Sequence, residues 1–272
     1  MANSATPDDM SFWEHLGELR GTLFRIAAVV LVFAIAFFFI MRWFFDNVIL
    51  WPCRPDFPLY SMLSFVQGDG EFLPDMSDSQ FSLQLINIKL GTQLMTHFSA
   101  SLWLAIAFSF PIIIYMLWRF VAPALYPHER RGARRAFLFG NVMFYLGTAV
   151  GYFIVYPLAL RFLSQYQLSD KIVNTITLDS YMDSFYSTIL ALGIVFELPL
   201  LAWMLGRMGL LTRSFFRRYR RHAIVVLMIL SAMITPTSDI LTLVIVFVPL
   251  YLLWEGSALL VPRSVPRGQS EA

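Results

Sequence analysis

The chain has 272 residues, 58% of them hydrophobic and 16% aromatic, with only 14% charged and a formal net charge of +2. With a mean hydropathy of +0.64, this composition excludes a soluble domain of that length and indicates a membrane protein with several spans. The arginines flank apolar runs instead of forming a patch, which argues against a nucleic-acid partner.

The N-terminal segment, residues 1–21, carries Phe12, Trp13, Leu16 and Leu19 on one side at spacings of three and four, with Leu23 continuing the side. This predicts an amphipathic helix at the cytoplasmic surface. Asp8 and Asp9 stand where a cleavable signal would be basic, so the first apolar run is expected to remain as a helix. Six runs follow, forming a membrane domain over 22–257: Thr22 to Phe45, Phe98 to Trp118, Ala136 to Leu160, Ser184 to Gly206, Ala223 to Pro236 and Ile240 to Trp254. A spanning helix needs about 20 residues, which the first four supply. The last two runs are short, at roughly 21 Å each, which predicts a locally thinned bilayer around that hairpin.

Between the first two runs lies an outer loop, 46–95, in which six acids face only Arg54 and Lys89. The proline-rich stretch from Trp51 to Pro58 predicts a turn at the membrane face, and the loop as a whole reads as a structured cap or a lid. Pro111, Pro157, Pro199 and Pro249 fall inside runs and predict kinks, favouring a concave bundle. Gly147 and Gly151 form a small-xxx-small pair that predicts close helix packing. The fold class is therefore an all-α membrane protein of six transmembrane helices, the fifth and sixth short, with a cytoplasmic tail at 258–272.

Alternating the six runs puts 15 of the 20 basic residues on the side of the two termini and leaves Arg42, Arg54, Lys89, Arg161 and Lys171 on the other side or its borders. The positive-inside rule then places both termini in the cytoplasm.

No phosphate-binding loop, nucleophile elbow, zinc-binding helix motif or cysteine cluster is present, and the four histidines are scattered. Neither enzyme activity nor a metal or other cofactor is expected. Cys53 is the single cysteine, so no internal disulfide can form. The chemistry that does stand out is acidic. Glu197 is the only charge between Ser184 and Gly206, where an ionised group costs about 2.5 to 3.5 kcal/mol on insertion scales. It suits a proton path, a polar contact for another helix or a packing hydrogen bond. Glu129 is the only acid among the arginines of the loop from Arg119 to Arg135, and it reads either as a local ion pair or as a docking carboxylate for a guanidinium group.

The motifs Glu14-His15-Leu16-Gly17-Glu18-Leu19-Arg20, Phe120 to Arg131, Phe196-Glu197-Leu198-Pro199 and the turn from Thr235-Pro236 to Asp239 occur in this order. Together they resemble the TatC family, the core membrane subunit of the twin-arginine translocase, over nearly the whole chain. The resemblance implies a bacterial inner-membrane receptor for export signals with two consecutive arginines, working on folded precursor proteins with the proton-motive force. It implies single-span TatA and TatB-type partners, contact with membrane lipid and several copies in one complex. Glu18 and Glu129 match acids associated with signal binding, and Leu19, Arg20 and Phe120 lie in the same motifs. Glu197 matches an acid on the concave side, a polar contact for a partner helix, and Asp239 matches the acid of the outer turn. The turn itself is one residue longer than the family's usual Thr-Pro-Pro-Asp. The competing reading is a proton-coupled transporter of small solutes with Glu197 as its titrating group.

Overall fold

The computed structural model describes residues 12–66, 83–121, 130–166, 169, 171, 175–207, 209–235 and 240–261. Helix α1 runs unbroken from Phe12 to Phe44, so the N-terminal amphipathic segment and the first span are one rod. At 33 residues it is about 50 Å long, more than the roughly 30 Å of a hydrocarbon core. A π-turn at Phe45–Ile49 and a short 3-10 turn at Trp51–Cys53 bend the chain over the end of the bundle, and α2, Pro58–Val66, completes a cap. The proline-rich stretch thus makes a structured turn, as expected.

Helix α3, Thr92–Val121, returns antiparallel to α1. Phe38 stacks on the His97 ring at 4.2 Å and Phe37 packs on Phe108 at 5.0 Å. Pro111 lies inside α3 and cannot donate to the carbonyl of Ala107, four residues back. Tyr145 of the next helix supplies the missing hydrogen, its hydroxyl donating to that carbonyl at 3.2 Å. In a bilayer such replacement from a neighbouring helix is what makes an internal proline tolerable.

The third span is α4, Arg130–Val150, a π-turn at Gly151–Val155 and α5, Tyr156–Gln165. The wider turn directly precedes Pro157, whose ring and missing donor do not fit a regular α-turn. The fourth is α6, Leu178–Val195, with Thr177 accepting at its N-cap from the Ser180 N–H, then α7, Leu198–Arg207. A short α8, Arg213–Arg218, leads into α9, Arg220–Ile234, and α10, Ile240–Leu260, closes the fold.

Among the described residues, five helical stretches are long and apolar enough to cross a membrane; α9, at 15 residues, is the short one. The sixth helix corrects the sequence expectation. It has 21 residues, continuing past Trp254 because Glu255 is neutralised where it stands: Arg220 donates to its carboxylate at 2.6 Å and the Tyr251 hydroxyl to its other oxygen at 3.3 Å. The shortness that would thin a bilayer therefore belongs to α9 alone.

Close approach of α4 to α6 and α7 rests on glycine. A Cβ on Gly147 would lie 2.6 Å from the Leu192 carbonyl oxygen and from Phe196 Cγ, and one on Gly151 would lie 3.1 Å from Ile189 Cα. Gly193 answers from α6, where a Cβ would meet Phe144 at 2.9 Å. The small-xxx-small pair is thus an internal seam between spans three and four, as the sequence reading expected of close packing.

Elsewhere the helices turn large apolar side chains outward, among them Phe24, Val32 and Phe39 on α1, as a lipid-facing surface requires. An apolar hollow of about 230 Å³ lies between the end of α1, α3, α4 and α6, lined by residues such as Trp103, Phe108 and Phe185.

Candidate functional site

Glu197 occupies a break in the fourth span. Pro199 has no N–H for the Val195 carbonyl, so α6 cannot continue as a regular helix. The chain instead tightens, with the Glu197 N–H bonding to the Ile194 carbonyl at 3.0 Å, before α7 resumes with Leu201 N–H on the Glu197 carbonyl at 3.0 Å. The carboxyl lies against bare backbone of α4: a Cβ on Gly140 would sit 2.8 Å from Glu197 Oε2 and 2.5 Å from Leu200 Cδ2. Glu197 is only 9% exposed, and neither carboxyl oxygen has a hydrogen-bond partner among the described residues. A buried acid with both oxygens unsatisfied is expensive to keep, and such groups mark functional positions.

The other predicted residues that fall within the described regions gather at the opposite end from the cap. Antiparallel packing brings Glu18, Leu19 and Arg20, early in α1, to the same end as Phe120, at the close of α3. Glu18 and Arg20 are exposed, and Leu19 and Phe120 are half-buried. The Arg20 guanidinium lies 5.6 Å from the Phe24 ring centre, whereas Glu18 makes no ion pair with any described residue. Arg119, Arg213, Arg217 and Arg218 are at this end too, and Phe216 packs on Trp254 at 4.7 Å to brace it. Glu129 and Asp239 lie outside the described residues. Glu197 is part of a separate location, within the bundle.

One buried cation went unnoticed in the sequence. Arg161, expected at a span border, is 1% exposed, with its guanidinium 4.8 Å from the Tyr60 ring centre in the cap. Around it, tyrosines donate to backbone carbonyls across elements: Tyr60 to Pro52 at 2.8 Å, Tyr152 to Val48 at 2.7 Å, Tyr156 to Tyr181 at 3.1 Å, and Tyr181 to Ile49. The signal available was the four-residue spacing of Tyr152 and Tyr156 shortly before Arg161, which gathers polar side chains in one stretch of an apolar span. Cys53 is buried in the same cap.

Residues 14–249 match the family model described as Sec-independent protein translocase protein (TatC). The Sec-independent protein translocase protein TatC of Koribacter versatilis is 35% identical, over 97% of this chain and 90% of its own length. That of Campylobacter jejuni is 32% identical, over 93% of this chain and 94% of its own. A crystal structure of the twin arginine translocase receptor TatC superposes with a TM-score of 0.68 at 28% identity, covering 90% of this chain and 97% of the other. With family, relatives and fold in agreement, this multi-span chain belongs to the TatC family of Sec-independent protein translocase proteins.

Proposed function

We propose that this protein is the signal receptor of a twin-arginine translocase in a bacterial inner membrane, with both termini in the cytoplasm. Glu18 and Glu129 receive the paired arginines of the export signal, with Leu19, Arg20 and Phe120 shaping the surface around them. The observation that carries this reading is Glu18, an exposed carboxylate with no ion pair among the described residues, at an end of the bundle crowded with arginine. A carboxylate held in such a field is open to an incoming guanidinium, which it binds through paired, directional hydrogen bonds. Loss of one charged hydrogen bond weakens binding by about 1.5 to 3 kcal/mol. Crosslinking of a twin-arginine peptide should therefore fall by at least about tenfold in Glu18→Ala and in Glu129→Ala; undiminished capture in both rejects the assignment.

Single-span TatA and TatB-type subunits complete the machine, which exports folded precursors with the proton-motive force. Glu197 serves as a polar contact for a partner helix, a reading supported by two carboxyl oxygens that find no partner within the described chain. In Glu197→Gln, copurification of the single-span subunits should drop while signal-peptide capture persists. Full association combined with lost export would instead assign Glu197 to proton chemistry.

A further inference from the structure

At the cap end, a cavity of about 670 Å³ opens between the last turn of α1, the cap and the first turns of α3. Its polar wall carries Arg42, Arg54 and Asp46, with Asn87 and Gln93 across from them. Its remaining wall is apolar, with Met41 and Phe45 among the lining residues. That size is in the usual range for a small-molecule site.

We propose that this cavity binds the head of an anionic phospholipid, its phosphate between Arg42 and Arg54. Three observations converge on that class of ligand. Charge comes first: among the described lining residues two guanidinium groups, Arg42 and Arg54, stand against one carboxylate, Asp46, which favours an anion over a zwitterion. Arg54 is also pre-positioned, because its Nη2 donates to the main-chain carbonyl of Asp46 at 2.6 Å. That neutral acceptor holds the side chain in place without consuming its charge. Arg42 is exposed and makes no ion pair or hydrogen bond with any described residue. Planar guanidinium forks of this kind match phosphate oxygens.

The third observation is depth. Arg42 belongs to the last turn of the first span, and its neighbour Trp43 is 65% exposed, as an aromatic side chain at the headgroup level would be. One floor of the cavity is formed around His97, whose Nε2–H donates to the Phe38 carbonyl at 2.9 Å and whose ring stacks on Phe38. A charged rim with an apolar side wall at the edge of the hydrocarbon accommodates a phosphate and the glycerol and first methylenes attached to it. A free oxyanion would leave the apolar wall unused. The hydroxyl groups of a polyol head would reach Asp46, Asn87 and Gln93, which can accept or donate hydrogen bonds.

The proposal rests on the membrane placement of α1 and α3. The full chain is reconstituted into liposomes with phosphatidylglycerol carrying a photoreactive group near its phosphate, present in both leaflets, and adducts are mapped by peptide mass spectrometry. Adducts should concentrate on residues 41–55 and 83–97, fall about tenfold in Arg42→Gln as expected for a lost charged hydrogen bond, and return only in part in Arg42→Lys, which restores the charge without the planar fork. Unchanged labelling in Arg42→Gln, equal labelling by a phosphatidylethanolamine probe, or displacement by inorganic phosphate as effective as that by phosphatidylglycerol would each overturn the proposal. Labelling spread along the apolar faces of α1 and α3 without concentration at the cavity would reject the site while keeping the membrane placement. No labelling of any helix would reject both.

Discussion

The two ends of the bundle are held by different forces. At the cap end, four tyrosine hydroxyls reach backbone carbonyls on other elements, Arg161 is buried against Tyr60, and Phe57 is fully buried. At the arginine-rich end, the described links between elements include no such hydroxyl ties: they are the Arg220–Glu255 pair, half-exposed on its arginine side, and aromatic contacts such as Phe216 on Trp254 and Trp118 on Phe137. Interlocking directional bonds hold the first region to one geometry, whereas charge and non-directional aromatic contacts leave the second with exposed side chains available to a ligand. Receptor surfaces are commonly drawn from the less tightly held parts of a fold.

This contrast can be tested by substitution. The largest effect is expected at the seam that joins the two ends. Gly147→Ala forces a methyl group to within 2.6 Å of the Leu192 carbonyl, so α4 and α6 must separate. Overpacking of this kind costs about 1 to 3 kcal/mol, and the purified protein should lose several degrees of Tm. A smaller loss is expected from Tyr181→Phe, which strands the Ile49 carbonyl in a buried site at a cost of about 1 to 2 kcal/mol. Limited proteolysis should then cut the cap first; if cutting begins in α8 instead, the cap is not the tightly held end. Least of all is expected from Arg220→Gln. The pair it breaks is partly solvent-exposed, and such pairs contribute about 0 to 1 kcal/mol. A Tm loss as large as that of Tyr181→Phe would show that the arginine-rich end is held as firmly as the cap.

Much of this organisation is legible in the chain, for reasons that differ by element. Apolar runs of spanning length announce themselves because every turn must be hydrophobic, and Pro199 marks the break beside Glu197 because a missing donor acts at a fixed offset. The end of α10 is not legible, since Glu255 resembles a terminator until its partners, Arg220 and Tyr251, are known. The tyrosine ties are equally hidden: a hydroxyl that seeks a backbone carbonyl leaves no complementary residue type in the sequence. Gly147 and Gly151 indicate close approach but not which helix approaches, and Gly140 shows its purpose only when Glu197 is seen against it. The gathering of Glu18 with Phe120 follows from α1 and α3 running antiparallel, which the alternation of spans implies.

Pro111 has a consequence for the order in which the protein is built. Entering lipid, α3 carries at Ala107 a carbonyl that has lost its regular donor four residues on, and an unsatisfied carbonyl in hydrocarbon costs several kcal/mol. The donor, Tyr145, belongs to a helix synthesised later. The hairpin of α1 and α3 is thus incomplete on insertion, and the arrival of α4 relieves it. Docking of the third span therefore supplies a hydrogen bond that the hairpin of the first two spans lacks.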